Sequence, residues 1–218
     1  MLAAVAKGLR GLKEKVVFVG GATIDLYLDD STVAGARPTD DVDCVVELTT
    51  RTQYYDLEER LRALDFKHPM AQKGPVCRWS YSGIMVDVMP THGEVLGFNN
   101  RWYPDGVAHA VNAQLPDGQT IWIFSAPYLL ASKLEAFFDR GRDDMLISPD
   151  LEDILAVLDA SDGIERKILD SPAPLRAYLR EKFAALLANE KFIDAVPGHV
   201  KGDGRSERLL THLRRLIA

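Results

Sequence analysis

The chain has 218 residues, of which 47% are hydrophobic and 27% are charged, and its formal net charge is −6. This mixture excludes an intrinsically disordered protein, because enough apolar surface is present to form a buried core. The negative charge excludes a general electrostatic attraction to nucleic acid, so such a contact would need a local basic patch. The length fits one domain with a helical extension, or two small lobes that share a cleft.

The cysteines and the apolar segments indicate where the protein works. Cys44 and Cys77 are too few for a disulfide scaffold or a zinc site of their own, which favours a reducing compartment. The segment Met1 to Lys15 lacks the apolar run and the cleavage site of a signal peptide. No stretch approaches the roughly 20 apolar residues that a transmembrane helix needs. We therefore expect a cytoplasmic protein with no membrane partner.

The first half of the chain alternates strand-like and helix-like patterns. The apolar run Val16 to Val19 predicts a strand that ends at Gly20-Gly21. Directly after the two glycines, Ala22 to Leu28 predicts a helix. Asp29 to Asp40 is expected to be a loop because it contains Ser, Gly, Pro and Asp. Val42 to Leu48 then predicts a second strand with apolar side chains on one face.

Two β-hairpins are also predicted, each from two strand-like runs around a turn. The first has the turn Ser82-Gly83, between Arg78 to Tyr81 and the strongly apolar run Ile84 to Met89. The second has the turn Pro116-Asp117-Gly118, between the runs Ala108 to Leu115 and Thr120 to Phe124.

Capping residues mark the predicted helices. Thr50 or Thr52 can cap a helix over Tyr54 to Leu64. In the last third, a serine followed by a proline in the first turn marks helix starts at Ser125-Ala126-Pro127 and Ser148-Pro149-Asp150. Two further helices are expected over Leu175 to Leu187 and Ser206 to Ile217. The expected fold class is α/β (α+β): a small mixed β-sheet with helices (domain 1–124), followed by a mostly helical C-terminal lobe (domain 125–218).

The glycine turn and the acids after it form a pattern suited to phosphate chemistry. Gly20-Gly21 ends a predicted strand and opens a helix, so a phosphate can approach bare backbone N–H groups and the positive end of the helix dipole. Asp41 and Asp43 are two residues apart on the next strand. Strand alternation therefore places both carboxylates on one face, where they can share a divalent cation such as Mg²⁺.

A third acid completes this pattern. Asp87 interrupts the apolar run Met85 to Met89, and a lone acid there is costly unless it is paired, binds a metal or lines a cleft. If its strand lies beside Val42 to Leu48, Asp87 joins Asp41 and Asp43. Three acids can then hold two Mg²⁺ ions, or Mn²⁺ in their place, with Asp87 as the base or as a ligand of the acceptor-side ion.

In these features the sequence resembles the polymerase-β-type nucleotidyltransferase superfamily. The similar features are the Gly-Gly turn, the strand Thr39-x-Asp41-Val42-Asp43 and the strand Val86-Asp87-Val88-Met89-Pro90. Within the superfamily, the chain most closely resembles the AbiEii/AbiGii-type toxins, also called abortive-infection nucleotidyltransferases. Their downstream motif is similar to Lys133-Leu134-x-Ala136, Arg140-Gly141 and Asp150-x-x-Asp153-Ile154.

The resemblance implies further roles and partners. It implies that Lys133 contacts the nucleotide and that Asp150 and Asp153 line the cleft. It also implies the toxin of a toxin–antitoxin or phage-defence system, with an antitoxin protein as partner and tRNA or protein as acceptor. Many superfamily members have Gly-Ser where this chain has Gly20-Gly21, so backbone N–H groups, Thr23 or Lys133 must hold the triphosphate. The long interval between the glycines and the acids favours the toxin-like branch over the small aminoglycoside-type transferases.

Several of these residues also have purely structural interpretations. Lys133 can be a lysine whose stem packs on the edge of an amphipathic helix, and Asp150 in a first turn can serve the helix dipole alone. Arg78 can reach a substrate phosphate, but we expect it to be an ordinary surface arginine. Basic residues of the last predicted helix can guide an RNA acceptor or can form a solvated face: Arg205, Arg208, Arg214 and Arg215.

Together these features predict an enzyme that transfers NMP from an NTP to a hydroxyl acceptor and releases pyrophosphate. Two alternatives remain open at this stage. One is a small-molecule, antibiotic-type nucleotidyltransferase, which the acidic composition mildly favours over an enzyme acting on RNA. The other is a nucleotide-binding regulator without catalysis, against which the presence of all three acids argues.

Overall fold

A computed structural model of the chain describes residues 1–29, 36–69, 75–97, 100–140 and 145–217. The predicted loop from Asp29 to Asp40 therefore lies partly outside the described residues, and Gly141 lies outside them. No helix among the described residues combines the length and the apolar character needed to cross a bilayer.

The chain forms two compact units. The first unit comprises Met1–Thr23 and Pro38–Ser125, and the second comprises Ile24–Arg37 and Ala126–Ala218. The segment Ile24–Arg37 thus groups with the C-terminal helices, which no pattern in the sequence indicates. The assignment of domain 1–124 to catalysis and of domain 125–218 to completing a nucleotide cleft stays a prediction.

A six-stranded mixed sheet organises the first unit. In chain order its strands are β1 (Val16–Val19), β2 (Asp41–Val46), β3 (Arg78–Tyr81), β4 (Ile84–Pro90), β5 (Val111–Gln114) and β6 (Thr120–Ile123). The strand order across the sheet is β3-β4-β2-β1-β6-β5. β2 pairs in parallel with β4, and β1 pairs in parallel with β6, whereas the other pairs are antiparallel. This mixed sheet confirms the predicted fold class.

In the described part of the first unit, three α-helices accompany the sheet: α1 (Leu2–Leu9), α2 (Arg51–Ala63) and α3 (Tyr103–Ala108). Thr50 is the cap of α2, and its side chain and that of Gln53 each accept a backbone N–H, which is a capping box. α1 and α3 are not indicated by the sequence patterns. Because α3 extends to Ala108, the strand that was expected to begin there begins at Val111.

The second unit is helical. Its helices are α4 (Ala126–Arg140), α5 (Pro149–Ala160), α6 (Ile164–Leu169), α7 (Ala173–Leu187), α8 (Glu190–His199) and α9 (Arg205–Ile217). α4 packs against α5, α6 and α7. Ser148 caps α5 by accepting the backbone N–H of Leu151, as the Ser-Pro start signal predicts. The buried residues Leu130, Leu134 and Phe137 form the core-facing side of α4.

Candidate active site

Two of the predicted acids lie on β2, beside the centre of the sheet. Val42 is completely buried, so alternation along the strand places Asp41 and Asp43 together on the opposite face. A residue close in sequence orients the Asp41 side chain: Thr39 Oγ1 donates a hydrogen bond to Asp41 Oδ1 at 2.8 Å. The local sequence therefore accounts for the first two carboxylates.

The parallel pairing of β2 with β4 brings in the third acid. Asp43 is directly opposite Asp87 in the register of the two strands. One carboxylate oxygen from each of Asp41, Asp43 and Asp87 lies within 4.8 Å of the other two. The structure thus places residue 87 on the same face as residues 41 and 43, as expected. We call these three residues the carboxylate cluster.

Gly20 borders the carboxylate cluster closely. It follows β1, whose last residue Val19 is opposite Asp43, and its φ of +74° is in the left-handed region that favours glycine. A Cβ atom at this position would lie 2.0 Å from Asp43 Oδ2. The backbone at Gly20 and the Asp43 carboxylate therefore approach more closely than any side chain permits. This glycine is required for the position of the acid, a role that its sequence pattern alone does not reveal.

The segment after the glycine turn differs from the expected α-helix. Gly21–Tyr27 is a 3₁₀ helix, and the Thr23 N–H donates to the Gly20 carbonyl oxygen three residues earlier at 3.2 Å. Thr23 Oγ1 donates to the same oxygen at 2.9 Å, and Thr23 is completely buried. Thr23 thus stabilises the turn itself. Its predicted contact with a nucleotide stays a prediction.

Arg78 belongs to this site, although its sequence pattern predicts no ion pair with the acids. Its Nε donates to Asp87 Oδ1 at 2.8 Å and its Nη2 donates to Asp87 Oδ2 at 2.6 Å, which is a bidentate ion pair. Arg78 Nη2 also lies 3.8 Å from Asp41 Oδ2. The hydrogen bonds with Asp87 raise the pKa of the Arg78 guanidinium above its ordinary value, so it remains charged. The expectation of an ordinary surface arginine is therefore wrong.

A signal for Arg78 was present in the sequence. Ser82 and Gly83, the two turn residues between β3 and β4, both have positive φ, as a two-residue hairpin turn of type I′ requires. Counting outward from such a turn pairs Tyr81 with Ile84 and Arg78 with Asp87, which is the observed register. Paired residues of a hairpin share a face, so the predicted hairpin already implied that Arg78 faces Asp87.

The donor set of the carboxylate cluster fits a hard divalent cation. Its three members supply carboxylate oxygens, which are the ligands that Mg²⁺ and Mn²⁺ prefer. Neither cysteine competes for this role, since Cys44 and Cys77 are free and buried. Burial raises the pKa of both thiols, that of Cys77 to about 12, so both remain uncharged at neutral pH. The residues present therefore fit Mg²⁺.

The other predicted nucleotide-binding residues lie together in the second unit. Lys133 Nζ is 3.0 Å from Asp150 Oδ1 and 2.7 Å from Asp153 Oδ2. Arg37 Nε is 3.3 Å from Asp153 Oδ1. Asp150 and Asp153 are three residues apart on α5, which places both carboxylates on the side that faces Lys133. We call these four residues the Lys133 cluster.

The charge of Lys133 is held by its acidic neighbours. Burial alone would lower the pKa of Lys133, but the charge of Asp153, followed by that of Asp150, raises it above the ordinary value of 10.5. The Asp153 side chain is 1% exposed, and its ion pairs with Lys133 and Arg37 offset the cost of burying a carboxylate. These contacts are sufficient for a structural role, and the predicted roles of Lys133, Asp150 and Asp153 in binding a nucleotide stay predictions.

The basic residues of α9 are partly engaged in ion pairs. Arg205 Nη2 lies 2.8 Å from Asp159 Oδ2, and Arg208 Nη2 lies 3.3 Å from Asp159 Oδ1. The Asp159 side chain is 4% exposed, so these contacts attach α9 to α5 through a buried acid. Guidance of an RNA acceptor by this helix stays a prediction.

Comparison with known proteins decides the kind of fold. No protein-family model and no curated protein matches the chain. Its structure is similar to that of an antigenic nucleotidyltransferase-like protein from Paracoccidioides brasiliensis, with 19% identity, a TM-score of 0.52 and 93% of each chain covered. The chain has a nucleotidyltransferase-like fold. JHP933 from Helicobacter pylori is also similar, with 13% identity, a TM-score of 0.50 and coverage of 99% of this chain and 88% of that chain.

The nucleotidyltransferase-like fold is shared with a third protein. The antibiotic-resistance factor ANT(2'')-Ia, in its solution structure, is 18% identical, with a TM-score of 0.53 and coverage of 85% of this chain and 92% of that chain. At these identities the similarity establishes the fold, which agrees with the superfamily resemblance seen in the sequence. The resemblance to the AbiEii/AbiGii-type toxins within the superfamily stays a prediction.

Proposed function

We propose that the protein is a metal-dependent nucleotidyltransferase that transfers NMP from an NTP to a hydroxyl acceptor and releases pyrophosphate. The observation that carries this proposal is the carboxylate cluster, in which three acids from two strands bring ligand oxygens within 4.8 Å of one another. Its position beside Gly20, on a nucleotidyltransferase-like fold, supports the same chemistry.

The acids and the glycine turn have distinct roles in this proposal. Asp41, Asp43 and Asp87 would hold Mg²⁺, with two ions expected and Mn²⁺ as a substitute. Bound Mg²⁺ lowers the pKa of an acceptor hydroxyl and offsets the charge of the triphosphate and the leaving pyrophosphate. Gly20-Gly21 offers backbone without side chains, which allows phosphate oxygens to approach the N–H groups of the turn.

Asp87 is the proposed base. The acceptor oxygen forms a bond to the α-phosphorus of the NTP, while the bond from that phosphorus to the bridging oxygen of the β-phosphate breaks. Pyrophosphate leaves with the electrons of the broken bond, and the proton of the acceptor hydroxyl passes to the Asp87 carboxylate. Asp87 is 8% exposed and lies between the buried residues Val86 and Val88, so its side chain is held at a fixed place on β4.

A small-molecule hydroxyl is the acceptor that we propose. The similarity to an antibiotic-resistance factor supports this class of acceptor. The net charge of −6 also suits a cationic small molecule better than a nucleic acid, because it repels a polyanion. The toxin role, with an antitoxin partner and with tRNA or protein as acceptor, stays a prediction that the same assay addresses.

The assay incubates the protein and Mg²⁺ with each of the four NTPs, labelled at the α-phosphate, and with aminoglycosides, total tRNA or a protein extract. We expect label to pass to an aminoglycoside with stoichiometric release of pyrophosphate, and we expect a chelator to stop the reaction. Transfer to tRNA or protein instead would overturn the small-molecule acceptor and support the toxin role. Tight NTP binding without pyrophosphate release for any acceptor would contradict the enzyme and support a regulator.

A further inference from the structure

Arg78 occupies the position where a cation of the carboxylate cluster would act. Its guanidinium binds both oxygens of Asp87, at 2.8 and 2.6 Å, and lies 3.8 Å from an oxygen of Asp41. A positive charge is therefore already in contact with one proposed metal ligand and close to a second. Because both Asp87 oxygens accept hydrogen bonds from Arg78, a cation must compete with Arg78 for this carboxylate.

The hairpin holds Arg78 in this place. Arg78 and Asp87 are directly opposite each other in the antiparallel register of β3 and β4, and the turn Ser82-Gly83 joins the two strands. Trp79, the next residue of β3, is completely buried and prevents this strand from sliding along β4. The Arg78 side chain itself is 28% exposed, so neighbouring residues do not enclose it completely.

We propose that Arg78 is a built-in counterion of the carboxylate cluster, which keeps the acids together without metal and opposes the binding of the divalent cation. This inference rests on the proposed function, because it takes the cluster to be the metal site. Arg78 is then a positioning residue, and its removal should have two opposite effects. The cation should bind more tightly, whereas the cation-free protein should be less stable, because the largely buried Asp87 loses its partner.

The test measures Mn²⁺ binding by isothermal titration calorimetry, and thermal unfolding in the presence of a chelator. For Arg78→Gln we expect the Kd for Mn²⁺ to fall by at least about tenfold, since the variant removes a charge in contact with the ligands. Its Tm in chelator should be lower than that of the wild type, and Mn²⁺ should restore more of its stability. Neither readout depends on turnover.

Two further variants make the result specific. Arg78→Lys retains the positive charge but loses the bidentate geometry, so we expect its Kd for Mn²⁺ to fall by about threefold. Arg60→Gln is the matched control, because Arg60 forms its ion pair with Glu14 in the same unit, and Glu14 is not part of the cluster. Its Kd for Mn²⁺ should equal that of the wild type.

The outcomes separate this inference from the proposed function. If the wild type binds Mn²⁺ and folded Arg78→Gln binds it no more tightly, Arg78 does not oppose the cation and the inference is overturned. If Arg78→Gln does not fold in chelator, Arg78→Lys decides, and an unchanged or higher Kd in that variant overturns the inference. If neither the wild type nor either variant binds Mn²⁺, the metal site of the proposed function is refuted as well.

Discussion

The carboxylate cluster of the first unit and the Lys133 cluster of the second unit arrange their charges in opposite ways. In the carboxylate cluster three acids converge on one another, and one of them, Asp41, has a side chain that is 38% exposed. In the Lys133 cluster acids and cations alternate, since Lys133 lies between Asp150 and Asp153. The first arrangement holds three acids beside solvent with Arg78 against two of them, whereas the second places two acids against two cations inside the protein.

The two arrangements differ in how they affect the free energy of the folded state. Alternating charges in a buried cluster stabilise each other, so the contacts of the Lys133 cluster are sufficient for a structural role. Like charges held within a few ångströms raise the free energy of the folded state, and proteins retain such groups mainly at functional sites. Substitution of Asp41 should therefore affect function, whereas substitution of Asp153 should affect stability.

The largest expected effect is that of Asp41→Asn on nucleotidyl transfer. The amide keeps the hydrogen bond from Thr39 but loses the charge that holds a cation, so we expect the transfer rate to fall by at least about a thousandfold. Because the change relieves repulsion between acids, the Tm in chelator should not decrease. Asp40→Asn, at the exposed neighbouring position, is the matched control and should keep full activity. A fully active Asp41→Asn protein would refute the site.

The second largest effect is that of Asp153→Asn on stability. The substitution removes the buried carboxylate that lies against both Lys133 and Arg37, so we expect the free energy of unfolding to decrease by about 3 kcal/mol in urea denaturation. Asp170→Asn is the control, because Asp170 forms an exposed ion pair with Arg166, and we expect a change within about 0.5 kcal/mol. Equal effects of the two substitutions would show that the Lys133 cluster does not stabilise the fold.

The smallest of the three effects is that of Gly20→Ala, at the glycine turn of the first unit. Gly20→Ala places a Cβ atom against Asp43 Oδ2 and also strains a positive φ, whereas Gly118→Ala strains a similar φ of +83° with nothing within 4 Å. We expect Gly20→Ala to be about 2 kcal/mol less stable than Gly118→Ala, because the contact with Asp43 is the difference between them. Loss of transfer activity should accompany Gly20→Ala alone. Identical stabilities would mean that Gly20 does not support the Asp43 carboxylate.

Local patterns predict much of the fold and part of the site. Thr50 and Ser148 cap helices as their patterns indicate, because capping depends on residues within one turn of the helix. The turn Ser82-Gly83 implies the pairing of Arg78 with Asp87, although that consequence is easily overlooked. The 3₁₀ form of the segment after Gly20 is not indicated by its residue pattern.

That Asp41 and Asp43 share a face follows from their spacing in the sequence, because strand alternation follows from backbone geometry. That Asp87 joins them depends on tertiary pairing, because it requires the parallel pairing of β2 with β4, two strands that are not joined by a short turn. The same holds for the contact of Arg37 with Asp153. Contacts between distant segments depend on how whole elements pack, and no short pattern of residues specifies that packing.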